Sequence, residues 1–256
     1  MSSLEALIFD VDGTLADTER DGHRVAFNLA FAEAGLDWSW DEGLYGELLS
    51  VTGGKERIRF YLEKYNTEFE KPGNFDEFVA GLHAAKTSFY TQLMSEGKIP
   101  LRPGVERLIM EARDAGMRIA IATTTTPENV TALLTYTLGA DSIDWFEVIG
   151  AGDIVPAKKP APDIFHYVME AMNLAPEQCI AFEDSYNGIR SACQARLATI
   201  ITTNGYTADD DFTGAAIVLD QMGEPDAGFS VISGDASGHS YLDLAMVKAL
   251  HQATYG

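Results

Sequence analysis

The feature that most constrains this chain is the stretch at positions 6–15, with the sequence ALIFDVDGTL. Four apolar residues lead directly into Asp10, and Asp12 and Gly13 follow. A short apolar run that ends at a turn signal predicts a strand buried in a parallel sheet. Because ligands of open α/β sheets bind beyond the carboxyl ends of the strands, we expect both aspartates to face a reaction site. Two carboxylates so close together repel each other unless a cation lies between them. The motif therefore also predicts a hard cation such as Mg2+.

The chain after this motif divides into an all-helical part and an alternating part. Apolar residues recur at helical spacing over residues 18–96, whereas strands and helices alternate from residue 97 onward. We therefore predict a doubly wound parallel α/β sheet formed by residues 1–17 and 97–256, with an all-helical domain inserted at residues 18–96. Residues 223–240 are rich in Gly, Asp and Ser and predict a long surface loop. The predicted strands cover residues 6–9, 118–122, 146–149, 179–182, 198–201 and 216–219, and the predicted helices cover residues 19–34, 42–49, 55–65, 75–95, 103–115, 128–138, 163–172, 187–195 and 241–252.

The charge balance narrows the expected partners. Acidic residues number 39 and basic residues 18, which gives a formal net charge of −21. This charge repels nucleic acid and anionic membranes, so neither is an expected partner. It also repels phosphorylated small molecules, so any phosphate site has to be locally basic. We expect a monomer whose two cysteines, Cys179 and Cys193, are reduced and inert.

The same composition predicts a cytoplasmic protein. No apolar run approaches the roughly 20 residues that a membrane-spanning helix needs. Only Met1, Ser2, Ser3, Leu4 and Glu5 precede the predicted strand at residues 6–9, so we expect no signal peptide. An organelle stroma is the alternative if a transit peptide was removed.

Polar groups follow three later predicted strands. The segment 123–126 is four threonines. A hydroxyl and the backbone N–H groups there either bind a phosphoryl oxygen or cap the next helix. Lys159 precedes two prolines and can neutralise both the aspartates and a phosphate, although a solvated surface lysine is the plainer interpretation. Glu183 and Asp184 end a buried strand and either complete an oxygen shell for Mg2+ or cap the following helix.

These four elements, in this order, resemble the four motifs of the haloacid dehalogenase-like phosphotransferases. The resemblance implies that Asp10 is the nucleophile, which takes the phosphoryl group as an aspartyl phosphate. It implies that Asp12 protonates the leaving oxygen and then activates water, and that Thr123 and Lys159 hold the phosphoryl oxygens and orient Asp10. The acid pair and Asp12 argue against the metal-free dehalogenases of the same fold.

The resemblance also implies how the Mg2+ cofactor is held. Asp10, Asp184 and the backbone carbonyl of Asp12 are the implied ligands, and Glu183 is implied to act through a water molecule.

Most of the chain is similar to the CbbY family in particular. The shared motifs are DTE at 17–19, TGGKER at 52–57, HAAKT at 83–87, LRPG at 101–104 and KPAPD at 159–163. The similarity runs to about residue 206. It implies a cap that selects a small phosphosugar, and hydrolysis of the C1 phosphate of xylulose 1,5-bisphosphate to give xylulose 5-phosphate.

A second anion site is predicted at residues 53–57. Gly53 and Gly54 at a helix start expose backbone N–H groups, and Lys55 and Arg57 add positive charge. This site either holds the phosphate that is not cleaved or is an ordinary helix start with surface charges. The predicted substrate-binding residues are Glu19, His23, Thr52, Gly53, Gly54, Lys55, Arg57, His83, Lys86, Thr124, Thr125 and Asn129.

Several of these residues have open alternatives. Glu19 and His23 lie one helical turn apart and either bind sugar hydroxyls, assist Asp12 or are structural. The spacing from Asp10 to His23 is one residue longer than in several sugar-phosphate members of the superfamily, which makes the role of His23 less secure. His83 and Lys86 share one helix face, and Arg102 at the return to the sheet is either a site residue or a hinge salt bridge. The two tryptophans at 38 and 40 are expected in the core of the helical part.

Two groups of alternative functions remain open from the sequence. One is a mutase similar to β-phosphoglucomutase, or a phosphatase of another small phosphosugar. The other is a catalytically idle binding or regulatory protein with the same fold. The set Asp10, Asp12, Thr123, Lys159 and Asp184 argues against an idle protein, because a binding role does not need all five residues.

Overall fold

The computed structural model describes residues 3–256 and shows one seven-stranded sheet at its centre. The strand order is β3-β2-β1-β4-β5-β6-β7, so the first strand is flanked by β2 and β4. The first six strands are parallel, and only the edge strand β7 is antiparallel to its neighbour. The strands are β1 (Ala6–Phe9), β2 (Arg118–Ala122), β3 (Val148–Gly150), β4 (Cys179–Glu183), β5 (Ala198–Thr202), β6 (Ile217–Leu219) and β7 (Val231–Ser233).

Helices cover both faces of this sheet. Successive side chains of a strand point to opposite faces, so Leu7 and Phe9 lie in one hydrophobic core while Ala6 and Ile8 lie in the other. The first core includes side chains of α5 (Val105–Asp114), α6 (Pro127–Leu138) and α9 (Leu244–Tyr255). The second includes side chains of α7 (Asp163–Met172) and α8 (Tyr186–Gln194). The predicted doubly wound α/β fold is confirmed.

The chain between β1 and α5 is helical. A π-helical turn (Glu19–His23) leads into α1 (Arg24–Glu33), and α2 (Glu42–Leu48), α3 (Gly54–Lys64) and α4 (Phe75–Ser95) follow. These helices have their own aromatic core, in which Trp38 and Trp40 are buried as predicted. No helix in the described part of the chain is both long and apolar enough to cross a membrane.

The two chain segments that join the helical part to the sheet lie side by side. Ala16 forms an antiparallel bridge with Leu101, and the backbone N–H of Arg102 donates to the carbonyl of Leu15. The Arg102 guanidinium lies 3.4 Å from the carboxylate of Asp17 and also donates to the carbonyls of Gly13 and Thr202. The hinge salt bridge that was one interpretation of Arg102 is therefore present.

The structure corrects four of the predicted elements. The loop predicted at 223–240 contains β7, whose three side chains are all exposed, so no buried apolar pattern marked this strand. The predicted strand at 146–149 begins two residues later, after a 3-10 helix (Ala140–Trp145) that keeps Phe146 in the core. The last helix begins at Leu244 instead of residue 241, because the Asp243 side chain caps it. The first turn of the helix predicted at 19–34 is π-helical.

Candidate active site

The carboxyl ends of β1, β2 and β4 bring the predicted motifs together. Asp10 follows β1, and its backbone N–H donates to the carbonyl of Phe182 on β4 at 3.0 Å. Thr123 follows β2 and Asp184 follows β4, so these side chains lie just after the ends of the two strands adjacent to β1. Asp10 is only 7% exposed and Thr123 1%. The chemistry predicted for this edge would therefore take place largely away from bulk water.

Lys159 connects the first and last motifs. Its ammonium donates to Asp10 Oδ1 at 2.6 Å, to Glu183 Oε1 at 2.5 Å and to the carbonyl of Ala122 at 2.8 Å. Burial favours the neutral amine, but the two carboxylates outweigh it and raise the pKa of Lys159 above its ordinary value. Burial also raises the pKa of Asp10 to about 8, although Lys159 favours its charged form. Lys159 thus holds the carboxylate of Asp10 in place.

Three carboxylates at this edge fit a divalent cation. Asp10, Glu183 and Asp184 each offer an oxygen, and these oxygens lie within 4.8 Å of one another. Burial, together with the charges of Asp10 and Glu183, raises the pKa of Asp184 well above its ordinary range. Glu183 Oε2 is buried and has no hydrogen-bond partner among residues 3–256. Close oxygen ligands with excess negative charge are the donors that Mg2+ prefers, so the residues present fit this ion.

Asp184 is positioned by a residue that the sequence motifs did not indicate. Asn204 Nδ2 donates to Asp184 Oδ2 at 2.7 Å. Gly13 lies against the same carboxylate, because a Cβ atom there would be 2.2 Å from Asp184 Oδ2. Asn204 follows the end of β5, so a search for polar residues after every strand would have found it.

The side chain of Asp12 is bound by two residues of the helical part. Its Oδ1 accepts hydrogen bonds from Thr18 Oγ1 at 2.6 Å and from His23 Nε2 at 2.9 Å. Burial would raise the pKa of Asp12, but the His23 imidazole and these two hydrogen bonds outweigh it and hold the pKa below its ordinary range. Asp12 is therefore a carboxylate at neutral pH in this state of the protein.

A buried lysine contacts the ring nitrogen of His23 that does not face Asp12. Lys86 Nζ lies 2.8 Å from His23 Nδ1, and a protonated amine donates this bond, which leaves Nε2–H to donate to Asp12. Burial lowers the pKa of Lys86 to about 8, with Asp12 and Glu19 partly opposing the shift. Lys86, His23 and Asp12 thus form a continuous chain of hydrogen bonds from α4 to the end of β1.

The space around these residues consists of two adjoining cavities. The catalytic cavity has a volume of about 470 Å³ and includes the side chains after β1, β2 and β4, whereas the cap cavity has a volume of about 330 Å³ and reaches α3 and α4. Asp12, Glu19, Gly53, Arg57 and Thr124 line both. The catalytic cavity is also lined by Asp10, Thr52, Thr123, Lys159, Glu183 and Asp184, and the cap cavity by His23, Gly54, Lys55, His83, Lys86, Thr125 and Asn129.

The two predicted cations of α3 have different surroundings. Arg57 is buried, donates to Tyr45 OH at 2.7 Å and lies 3.5 Å from Glu19. Tyr45 in turn donates to Glu19 Oε2 at 2.5 Å. Lys55 is exposed at the rim of the cap cavity. The charge of Arg57 is therefore largely used to hold Glu19, and Lys55 is the freer cation.

Two buried oxygens of the cap cavity and its rim have no partner in the part of the chain that the structure describes. Asn129 Nδ2 donates to Thr125 Oγ1 at 2.9 Å, but Asn129 Oδ1 accepts no bond. Thr126 Oγ1 has no partner either. Since unpaired buried polar atoms are costly, both oxygens are available to a polar ligand.

Comparisons with known proteins show the family to which the chain belongs. The haloacid dehalogenase-like hydrolase family matches residues 4–196. Protein CbbY of Cupriavidus necator is 46% identical over 251 residues, which are 98% of this chain and 98% of that protein. The chain belongs to the CbbY family of haloacid dehalogenase-like hydrolases. As a member of this family it is a phosphatase.

Two solved structures extend the comparison. A variant of CbbY from Rhodobacter sphaeroides, crystallised with xylulose 1,5-bisphosphate, superposes with a TM-score of 0.79 at 46% identity and covers 85% of this chain and 94% of that one. β-Phosphoglucomutase from Clostridium difficile matches with a TM-score of 0.74 at 20% identity over 98% of both chains. The second likeness concerns the fold alone.

Proposed function

We propose that this phosphatase hydrolyses the C1 phosphate of xylulose 1,5-bisphosphate, with Mg2+ as cofactor and an aspartyl phosphate on Asp10 as intermediate. The observation that carries the proposal is the position of Asp10, which is fixed by Lys159 at 2.6 Å beside two further buried carboxylates. The CbbY protein crystallised with xylulose 1,5-bisphosphate supports the choice of substrate, since it is 46% identical to this chain over the matched region.

Each residue of the catalytic cavity has a defined part in this reaction. Asp10 attacks the phosphorus, and Lys159 keeps its carboxylate oriented and neutralises charge on the phosphoryl group. The Thr123 hydroxyl and the backbone N–H groups after β2 bind phosphoryl oxygens. Asp10, Asp184, Glu183 and the carbonyl of Asp12 are the proposed surroundings of the Mg2+, which when bound offsets the negative charge of phosphate and carboxylates.

Asp12 is the proposed acid and base. Because its pKa is held low, the proton for the departing C1 oxygen has to reach Asp12 from a neighbour, and His23 Nε2 lies 2.9 Å away. Lys86, with a pKa of about 8, is protonated at neutral pH and can donate a proton to His23 Nδ1. Asp12 then accepts a proton from the water that hydrolyses the aspartyl phosphate.

Residues 18–96 are the proposed cap, and residues 1–17 with 97–256 the proposed catalytic core. The cap supplies the binding site for the phosphate that is not cleaved. Lys55 and the N–H groups at the start of α3 offer the positive charge, because the first N–H groups of a helix have no intrahelical partner. Glu19, fixed by Arg57 and Tyr45, is placed to accept hydrogen bonds from sugar hydroxyls.

A phosphate-release screen over sugar mono- and bisphosphates tests the proposal. We expect Mg2+-dependent release from xylulose 1,5-bisphosphate and none from the Asp10→Asn variant. Lys55→Ala should raise KM for the bisphosphate strongly and for a monophosphate little, whereas the exposed Lys248→Ala should change neither. Retained activity in Asp10→Asn would contradict the assignment of Asp10 as the nucleophile. A stable isomerised sugar phosphate would indicate a mutase, and no release from any substrate would indicate an idle protein.

A further inference from the structure

Lys158 reaches across the cleft between the sheet and the helical part. It belongs to the loop between β3 and α7 and directly precedes Lys159, but its ammonium does not share the partners of Lys159. It donates to Asp153 at 2.9 Å and lies 3.9 Å from Glu56 on α3. It also lies 3.0 Å from the position of a Cβ atom at Gly53. A lysine of the core therefore stands at the start of α3.

The surroundings of Lys158 form a basic rim on an acidic protein. Lys158, Lys55 and His83 all line the cap cavity, Lys55 and His83 from helices of the cap and Lys158 from the core. The hydrogen bond and charge of Lys158 lower the pKa of Asp153, with smaller contributions from Lys55 and His83. The Asp153 carboxylate thus lies between the positive charges of Lys158 and Lys55.

Lys158 is more enclosed than the acids it touches. Its side chain is 23% exposed, compared with 73% for Asp153 and 49% for Glu56. Exposed surface ion pairs contribute little to stability, so Lys158 can release both acids at low cost. A phosphate bears more negative charge than a carboxylate and has more acceptor oxygens, so it competes well for the same ammonium.

The same cavity shows a second sign of a missing polar ligand. Asn129 is 2% exposed, lines the cavity and leaves its Oδ1 without a partner among residues 3–256. This oxygen can accept a hydrogen bond from a sugar hydroxyl next to the distal phosphate. A ligand that combines hydroxyl groups with an anion therefore satisfies both the acceptor and the ammonium.

We propose that Lys158 determines specificity by binding the phosphate that is not cleaved, together with Lys55, after releasing Asp153 and Glu56. This inference rests on the proposed function, because it assigns a residue to the distal end of the same bisphosphate. Since Lys158 belongs to the core and Lys55 to the cap, an anion held by both joins the two parts over the reacting phosphate. A monophosphate without the distal group lacks this link.

Substitution of Lys158 separates this role from general damage to the site. We expect Lys158→Met to raise KM for xylulose 1,5-bisphosphate about tenfold or more, since the variant loses a charge-assisted hydrogen bond to the distal phosphate. The ratio of kcat/KM for the bisphosphate to that for acetyl phosphate should fall by about the same factor. Lys158→Arg should restore part of the ratio, and Lys248→Met serves as the control for the lost charge.

Asp153→Asn gives an opposite expectation. It removes the competing carboxylate and frees Lys158, so KM for the bisphosphate should decrease or stay unchanged. If the wild-type enzyme prefers the bisphosphate, an unchanged ratio of kcat/KM values in Lys158→Met, that is, equal losses with both substrates, would overturn this inference but not the proposed function. A wild-type enzyme without that preference would overturn the proposed function, and the inference with it.

Discussion

Replacement of Lys159 by methionine should destabilise the protein far more than the loss of a surface charge. The Lys159 side chain is 5% exposed, and its ammonium donates to the carboxylates of Asp10 and Glu183 and to one backbone carbonyl. Methionine preserves most of the volume, so packing changes little. The change leaves two buried carboxylates without their cation.

The expected loss follows from this arrangement. Removing one partner of a buried ion pair costs about 3 to 5 kcal/mol, because the remaining carboxylates must either stay charged while buried or take up protons. For a chain of this size each kcal/mol lowers Tm by about 2 to 4 °C, so the expected decrease is about 6 to 20 °C. Lys159 lowers the pKa values of Asp10 and Glu183, so without it both rise further in the folded state. The folded variant then binds protons that the unfolded chain does not, and its stability declines as the pH rises from about 5 to 8.

Thermal unfolding at pH 6 and pH 8, with and without Mg2+, measures this effect. Lys98→Met is the matched control, because Lys98 is 62% exposed and pairs only with Glu96 among the residues that the structure describes. We expect Mg2+ to restore part of the loss in Lys159→Met, since the cation neutralises the same carboxylates. A decrease in Tm as small as that of Lys98→Met would refute the reasoning.

Three further predictions use other parts of the molecule. Gly53 has a φ of 101°, and a Cβ atom there would be 2.2 Å from Glu56 Oε2, so Gly53→Ala should cost about 1 to 3 kcal/mol in chemical denaturation. Gly81→Ala, on an open face of α4, should instead stabilise by about 0.5 to 1 kcal/mol, and similar effects of the two changes would contradict this account. Burial and the charges of Lys86 and Lys55 lower the pKa of His83 from 6.5 to about 4, so the unfolded chain binds a proton in that range that the folded chain does not. The urea midpoint should therefore fall more between pH 6.5 and pH 4 in the wild type than in His83→Gln, and parallel curves would be the contrary result. Chelation by EDTA should abolish phosphate release, and added Mg2+ should restore it. Activity that survives EDTA would contradict the dependence on Mg2+.

Much of the catalytic cavity could be predicted because it depends on strand ends. Apolar runs locate β1, β2, β4 and β5, and a parallel sheet necessarily gathers the residues after them at one edge. The bounds of α4 and α7 were predicted to the residue, since apolar periodicity and preceding loops mark both. A central strand of four buried residues leaves no ambiguity about which side chains face the core.

The contacts between distant parts of the chain could not be predicted in the same way. The bonds that connect Lys86, His23 and Asp12 join residues up to 63 positions apart, and helical periodicity does not determine them. Tyr45, which holds both Arg57 and Glu19, carried no sequence signal, because an aromatic residue on a helix usually belongs to a core. β7 was missed because short exposed edge strands lack an alternating pattern.

Detection of the phosphorylated enzyme tests the central claim most directly. The protein would be mixed with xylulose 1,5-bisphosphate and Mg2+, quenched in acid within one turnover, digested and analysed by mass spectrometry. The account predicts one phosphoryl group on the peptide that contains Asp10, and none when Asp10→Asn is used or when Mg2+ is omitted. Rapid release of phosphate with no phosphorylated form of that peptide would contradict the aspartyl phosphate and the role of Asp10.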